Sequence, residues 1–252
     1  MNQPLSGRVA VVTGASSGIG AATATLLAER GASVALLARR VDRLDELAQR
    51  IKDNGGQALA VEADATSLGS VTEAAAAVRN TFGPADLVVN NAGVMLPNPI
   101  EERRFEEWER QIDLNVTGVL RTIHAFLPDL LEVAKDGKPA DLINVSSVAA
   151  DAIFPSFAAY CASKAAVSHM SANLRVELGP KGVRVTALEP GVVVSELQSH
   201  VTDAGVTEWL DNMIGSIDVL QSADIAEIIA FTATQPKHVN LSRITVYPTQ
   251  QA

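Results

Sequence analysis

Short runs of apolar and β-branched residues recur along the chain, separated by longer stretches in which apolar positions return every three or four residues. The runs are RVAVVT (8–13), SVALLA (33–38), ALAVEA (58–63), DLVVNN (86–91), DLINVSS (141–147), VRVTALEP (183–190) and RITVYP (243–248). Most are continuous rather than alternating, as in strands buried on both faces. Strands alternating with helices predict an α/β fold, a doubly wound parallel sheet of about seven strands with helices on both faces. Gly31, Gly83-Pro84 and Gly179-Pro180 fall where helices should end. No linker divides residues 1–252, so one domain is expected. Residues 192–220 are less regular, carry Ser195, Trp209 and Met213, and precede a final helix near 224–234. A long excursion at the carboxyl ends of parallel strands is expected to form a substrate lid.

The first strand leads into TGASSGIG (13–20), where Gly14, Gly18 and Gly20 give the spacing G-x-x-x-G-x-G. Glycines at a strand-to-helix junction let the backbone approach a pyrophosphate, and the helix N-terminus offers unpaired N–H groups to it. This reads as a Rossmann-type dinucleotide site with an altered spacing, making the domain a dinucleotide-binding one. The second strand ends in Ala38, Arg39 and Arg40, where an acidic residue would bind the ribose 2′-hydroxyl of NAD. Without that carboxylate a 2′-phosphate meets no repulsion, and a guanidinium can hold it with two charge-assisted hydrogen bonds. The expected cofactor is therefore NADP, with NADPH preferred over NADH.

Composition narrows the remaining classes. The net charge of -9 offers no basic field for a phosphate backbone, so no nucleic-acid partner is expected. No apolar run approaches the 18 residues of a membrane span, and MNQPLSGRVAVVTG lacks the pattern of a signal peptide, so a cytoplasmic location is expected. Cys161 is the single cysteine and cannot form an internal disulfide. His124, His169, His200 and His238 are scattered, and no metal site is expected. Phe105 and Trp108 in EERRFEEWER share a helix face, which points to core or subunit packing.

YCASK places Tyr160 and Lys164 four residues apart, one above the other on a helix face. Together with TGASSGIG, NNAG (90–93), Asn115 in LNVTG, Ser147 thirteen residues before Tyr160, and Pro190-Gly191, it resembles the short-chain dehydrogenase/reductase family over nearly the whole chain. The resemblance implies a catalytic tetrad of Asn115, Ser147, Tyr160 and Lys164. Tyr160 would exchange a proton with the substrate oxygen, and the Lys164 cation would lower its phenol pKa. Ser147 would hydrogen-bond the developing alkoxide. Asn115 would kink its helix and hold a water linking Lys164 to solvent. Successive strand residues face opposite sides, so only one of Ser146 and Ser147 can face the site, and the spacing selects Ser147.

Cofactor contacts carried over by the resemblance are Gly14, Ser16, Ser17, Gly18, Ile19 and Gly20 for the phosphates, and Arg39 and Arg40 for the 2′-phosphate. Arg39 would carry most of the selectivity, because Ser17 stands where some NADP-preferring members have a basic residue. Asp64 and Ala65 would meet the adenine. Asn91, Ala92 and Gly93 would line the ribose, Tyr160 and Lys164 the nicotinamide ribose, and Pro190, Gly191, Val193 and Ser195 the nicotinamide. Ser195 replaces the family's usual threonine. The ALLARR segment and the ending from Ala223 look most like NADP-dependent 3-hydroxy acid and clavulanate-type dehydrogenases.

The expected activity is an NADPH-dependent carbonyl reductase, reversible as an alcohol dehydrogenase, on a small-molecule ketone and secondary alcohol. The alternatives are a reductase of carrier-bound β-ketoacyl groups and a non-catalytic NADP-sensing scaffold. The small-residue helix at 157–178 corresponds to a subunit-pairing helix of the family, which implies a homotetramer or homodimer.

Overall fold

The computed structural model describes residues 3–251. Seven strands form one sheet: β1 (Val9–Thr13), β2 (Ser33–Ala38), β3 (Gln57–Glu62), β4 (Leu87–Asn90), β5 (Ala140–Val145), β6 (Val183–Pro190) and β7 (Arg243–Val246). They pair in the order β3-β2-β1-β4-β5-β6-β7, and every pairing is parallel. The chain builds outward from β1 to β3 and then returns to the other side of β1 with β4. The two halves diverge at the β1/β4 boundary, where the carboxyl ends of parallel strands open a crevice.

Eight helices connect the strands: α1 (Gly18–Glu29), α2 (Val41–Asp53), α3 (Leu68–Phe82), α4 (Phe105–Ile112), α5 (Gly118–Lys135), α6 (Ala158–Leu178), α7 (Ala204–Ser216) and α8 (Ser222–Ala233). The two-residue period of the strands sorts the core into two layers. Ala10 and Val12 of β1 face Leu27 of α1, Leu44 of α2 and Ile229 of α8. Val9 and Val11 face the opposite layer, with Val78 of α3, Phe126 of α5 and Val167 of α6. Both faces are covered, so each strand is apolar on both sides and the sequence runs carry no alternation.

At the amino ends of the central strands a row of buried charges crosses the sheet. Arg8 pairs with Asp86 at 2.5 Å and Asp141 at 2.7 Å, and Asp141 also holds Arg184 at 2.7 Å. The two guanidiniums share one carboxylate, and further donors go to the backbone carbonyls of Asp86 and Ala233. Each buried charge thus has partners, the condition for tolerating it away from water.

Strand positions follow the apolar runs to within two residues, with β5 stopping short of Ser146 and Ser147. The segment after β6 is more regular than expected. A short 3-10 turn (Glu196–His200) leads into the thirteen-residue α7. Asp203 caps α7 by accepting the Val206 N–H at 2.9 Å, and Val206 and Leu210, four apart, are buried on one face. Among the described residues no helix is long and apolar enough to cross a membrane.

Candidate active site

The turn after β1 is shaped by two close approaches. Gly14 has φ +68°, and a Cβ there would lie 2.9 Å from the Ala92 Cα. A Cβ on Gly20 would run into the Gly14 carbonyl oxygen and lie 2.6 Å from the Asn91 Nδ2. Glycine is therefore required at both positions. Ser17 stands at the N-cap of α1 without a side-chain capping bond, leaving the first N–H groups of the helix to face the cleft. Thr13 Oγ1 accepts the N–H groups of Asn91 (2.9 Å) and Ala92 (3.1 Å), and Asn91 Nδ2 donates to the Thr13 carbonyl (3.0 Å). These bonds lock the ends of β1 and β4 together at the switch point.

One cleft, of about 380 Å³, runs along this edge. It is lined by Gly14, Ser16, Ser17, Gly18, Ile19, Arg39, Arg40, Asp64, Ala65, Asn91, Ala92, Gly93, Ser147, Tyr160, Lys164, Pro190, Gly191, Val193 and Ser195. The two arginines differ. Arg40 donates to Ser16 Oγ at 2.9 Å, to Ser17 Oγ at 2.8 Å and to Glu196 at 2.8 Å. Glu196, from the turn after β6, also binds Arg43 of α2. Hydrogen bonds from Arg43, Arg40 and Ser17 hold its carboxyl down to about 2, despite a small opposing effect of burial. Arg39 lines the same cleft with no ion-pair partner among the described residues. Burial pushes the Asp64 carboxyl up, but the Thr66 N–H and hydroxyl, with Arg39 and Arg121 nearby, bring it below its ordinary value.

Toward β5 and β6 the cleft reaches the residues singled out by spacing. Ser147 sits just past the end of β5, accepts the Ala149 N–H at 3.1 Å, donates to the Pro190 carbonyl at 3.5 Å and lies near enough to the Tyr160 hydroxyl to act on its titration. Ser146 points away, donating to the Lys164 carbonyl at 2.9 Å and linked through Ser168 to the buried Glu189. Tyr160 and Lys164 lie on the first turns of α6, with Lys164 Nζ 5.7 Å from the Tyr160 ring centroid and 3.1 Å from the Val145 carbonyl to which it donates. Asn115 lies in a wide π-turn (Asp113–Thr117) between α4 and α5, so the expected local distortion is present. Its Oδ1 accepts the Val94 N–H at 2.8 Å, while Nδ2 donates to the Val94 carbonyl at 2.9 Å and to Ser163 Oγ at 3.1 Å.

The protonation balance departs from expectation. Burial pushes the Tyr160 phenol up to about 12, with the Ser147 hydrogen bond only partly opposing it. Burial likewise pulls the Lys164 ammonium down to about 8. Desolvation dominates at both groups, and at the phenol the Ser147 contact, not the lysine charge, is what opposes it.

Sequence reasoning missed several lining residues. Thr13 opens the TGASSGIG motif but is not counted among its contacts, and Gln251, whose Oε1 accepts the Val192 N–H at 3.0 Å and crowds Gly191, carries no distinctive spacing. Glu196, Leu197, Gln198 and His200 enter on the 3-10 turn, which Ser195 and Gln198 close as a reciprocal capping box. The Ser195 hydroxyl therefore serves this turn, accepting the Leu197 N–H at 3.3 Å. A capping signal, Ser195 followed three residues later by Gln198, was available for it. Cys161 packs against the aromatic cluster of Phe157 and Tyr160, and burial raises its thiol pKa. Among the described residues no group of three His, Cys, Asp or Glu side chains could hold a metal ion.

The glycine cradle, the uncapped helix start and the cleft-lining Arg39 fit a dinucleotide. A family model described as short chain dehydrogenase matches residues 8–205. An uncharacterized oxidoreductase of Staphylococcus saprophyticus is 40% identical over 245 residues, covering 97% of this chain and 98% of that protein. Two solved structures are similar throughout. An alcohol dehydrogenase from the archaeon Thermococcus sibiricus, complexed with 5-hydroxy-NADP, has a TM-score of 0.85 at 30% identity, covering 97% of this chain and 98% of that one. A 3-ketoacyl-(acyl-carrier-protein) reductase from Brucella melitensis, complexed with NADH, has a TM-score of 0.87 at 31% identity, covering 98% and 99%.

Proposed function

Because the chain belongs to the short-chain dehydrogenase family, we propose that it is an NADP(H)-dependent oxidoreductase that interconverts a ketone and a secondary alcohol. The observation that carries this reading is the pair of hydroxyls, Ser147 and Tyr160, held together in the cleft beside the buried Lys164. A bound reduced nicotinamide would supply the hydride. The protein's own groups handle the oxygen. Ser147 donates a hydrogen bond to the substrate carbonyl oxygen and stabilises the charge that grows on it. Tyr160, its pKa raised to about 12, is protonated at neutral pH and donates its proton to that oxygen. With an ammonium pKa of about 8, Lys164 is still about nine-tenths charged at pH 7 and favours the phenolate left behind. Asn115 is a positioning residue, bracing the Val94 backbone and Ser163 around this group.

Gly14, Ser16, Ser17, Gly18, Ile19 and Gly20 would hold the pyrophosphate. Asp64, Ala65, Asn91, Ala92 and Gly93 would hold the adenosine, with Pro190, Gly191, Val193 and Ser195 beside the nicotinamide. Arg39, unpaired in the cleft, would take the 2′-phosphate and set the preference for NADPH. The test is NADPH and NADH oxidation at 340 nm with a panel of ketones, β-keto esters and acyl thioesters. Turnover with NADPH that vanishes in Tyr160→Phe is expected. Equal use of NADH would sink the role of Arg39, and turnover surviving in Tyr160→Phe would sink that of the tyrosine.

A further inference from the structure

The charges of the cleft are segregated. Arg39, Arg40, Asp64 and Glu196 gather at the carboxyl ends of β2 and β3 and on the turn that reaches over them. Around the Ser147 and Tyr160 hydroxyls the wall is instead Met95, Ala149, Phe154, Phe157, Trp209 and Leu210. Three of these are rings that meet at an angle: Phe154 and Trp209 with centroids 6.1 Å apart, and Phe157 and Trp209 at 5.8 Å. Trp209 keeps 42% of its surface exposed, although α7 places it over the cleft. Such a corner leaves ring faces and edges for a flat apolar group to cover.

A negatively charged substrate would find no free cation here, since His200, the histidine of the lining, sits among Arg39, Arg40, Arg110 and Glu196 at the charged end. The nearest cation, Lys164, is 7% exposed, lies beneath the Tyr160 ring and already donates to the Val145 carbonyl. A carboxylate beside the reacting carbon would be desolvated against rings and methionine without compensation. Resting on the oxidoreductase reading above, we infer that the substrate half of the cleft takes uncharged ketones bearing a planar apolar substituent and discriminates against 3-oxo acids. This departs from the 3-hydroxy acid branch suggested by the sequence. The discriminating residues are Phe154, Phe157 and Trp209.

A matched pair tests this: ethyl benzoylacetate and benzoylacetate, the same ketone with and without the charge. With NADPH, kcat/KM is expected to favour the ester by about 100-fold or more, in keeping with an unpaired buried charge. Trp209→Ala should raise KM for the ester at least about tenfold, and by a larger factor than KM for acetone, which has no ring to set against the indole. Binding gives a readout independent of turnover. With NADP⁺ present, the ester should quench tryptophan emission in the wild type and leave it unchanged in Trp209→Ala, where Trp108 is the remaining indole. Equal kcat/KM for acid and ester, or equal quenching by the acid, would overturn the substrate class while leaving the oxidoreductase reading intact. Quenching by the ester alone, with no ketone reduced, would uphold the pocket's preference and sink the reading of the reaction.

Discussion

Lys164 is a cation that the fold buries at a cost, and replacing it should expose that cost. Its pKa falls from 10.5 to about 8 because desolvation is not matched by any carboxylate. Between those values the folded state binds fewer protons than the unfolded chain, so stability should rise with pH across the window. At pH 7 the lysine carries nearly the whole penalty, about 3 kcal/mol. At pH 10 about 1 kcal/mol or less remains, by the same linkage. Lys164→Met keeps an unbranched apolar stem but cannot titrate, and it forfeits the bond to the Val145 carbonyl, worth about 1 kcal/mol at any pH. Urea unfolding of both proteins at pH 7, 8, 9 and 10 separates the two effects. Tyr160 titrates above this range in the folded state and is common to both proteins. The free-energy gap should move by about 2–3 kcal/mol in favour of the wild type between pH 7 and pH 10. A gap that stays flat would show that Lys164 is not desolvated and would refute the argument.

Other consequences are local. Gly20→Ala places a methyl against the Gly14 carbonyl and Asn91, and should weaken NADPH binding more than about tenfold in a fluorescence titration. Arg39→Ala should raise KM for NADPH by roughly ten- to a hundredfold, the loss of a charge-assisted contact, with KM for NADH unchanged. Glu196→Gln removes the anion that Arg40 and Arg43 now hold, so the ratio of NADH to NADPH dissociation constants should rise severalfold. If the ratio instead fell, Glu196 would be organising the arginines rather than competing for them. Asp141→Asn leaves the buried Arg184 guanidinium without a carboxylate, while Arg8 keeps Asp86, and should cost about 3–5 kcal/mol in urea unfolding.

The sheet was legible because strands buried on both faces leave unbroken apolar runs, and the parallel order followed from helices between them. The facing of Tyr160 and Lys164 was legible as a four-residue helical spacing, whereas Asn115 and Ser147 were singled out by the family resemblance; Ser146 and Ser147 turn to different partners just past the end of β5. What escaped was contact made at long range. Gln251 reaches Val192 from the far end of the chain, and Glu196 reaches α2 across 153 positions. No local pattern encodes either. Helix α7 escaped for a different reason: its capping Asp203 and its buried pair Val206 and Leu210 were present, but Gly205 and Gly215 diluted the helical signal. The direction of the Tyr160 shift depended on burial, which spacing does not report.

The most direct test follows one atom. NADPH carrying deuterium at the transferred position, incubated with the enzyme and ethyl benzoylacetate, should deliver a single deuterium to the carbinol carbon of the product, seen by mass spectrometry. Tyr160→Phe should still bind the labelled cofactor but transfer almost none of it. Alcohol formed without the label, or label transferred at an undiminished rate by Tyr160→Phe, would contradict the account.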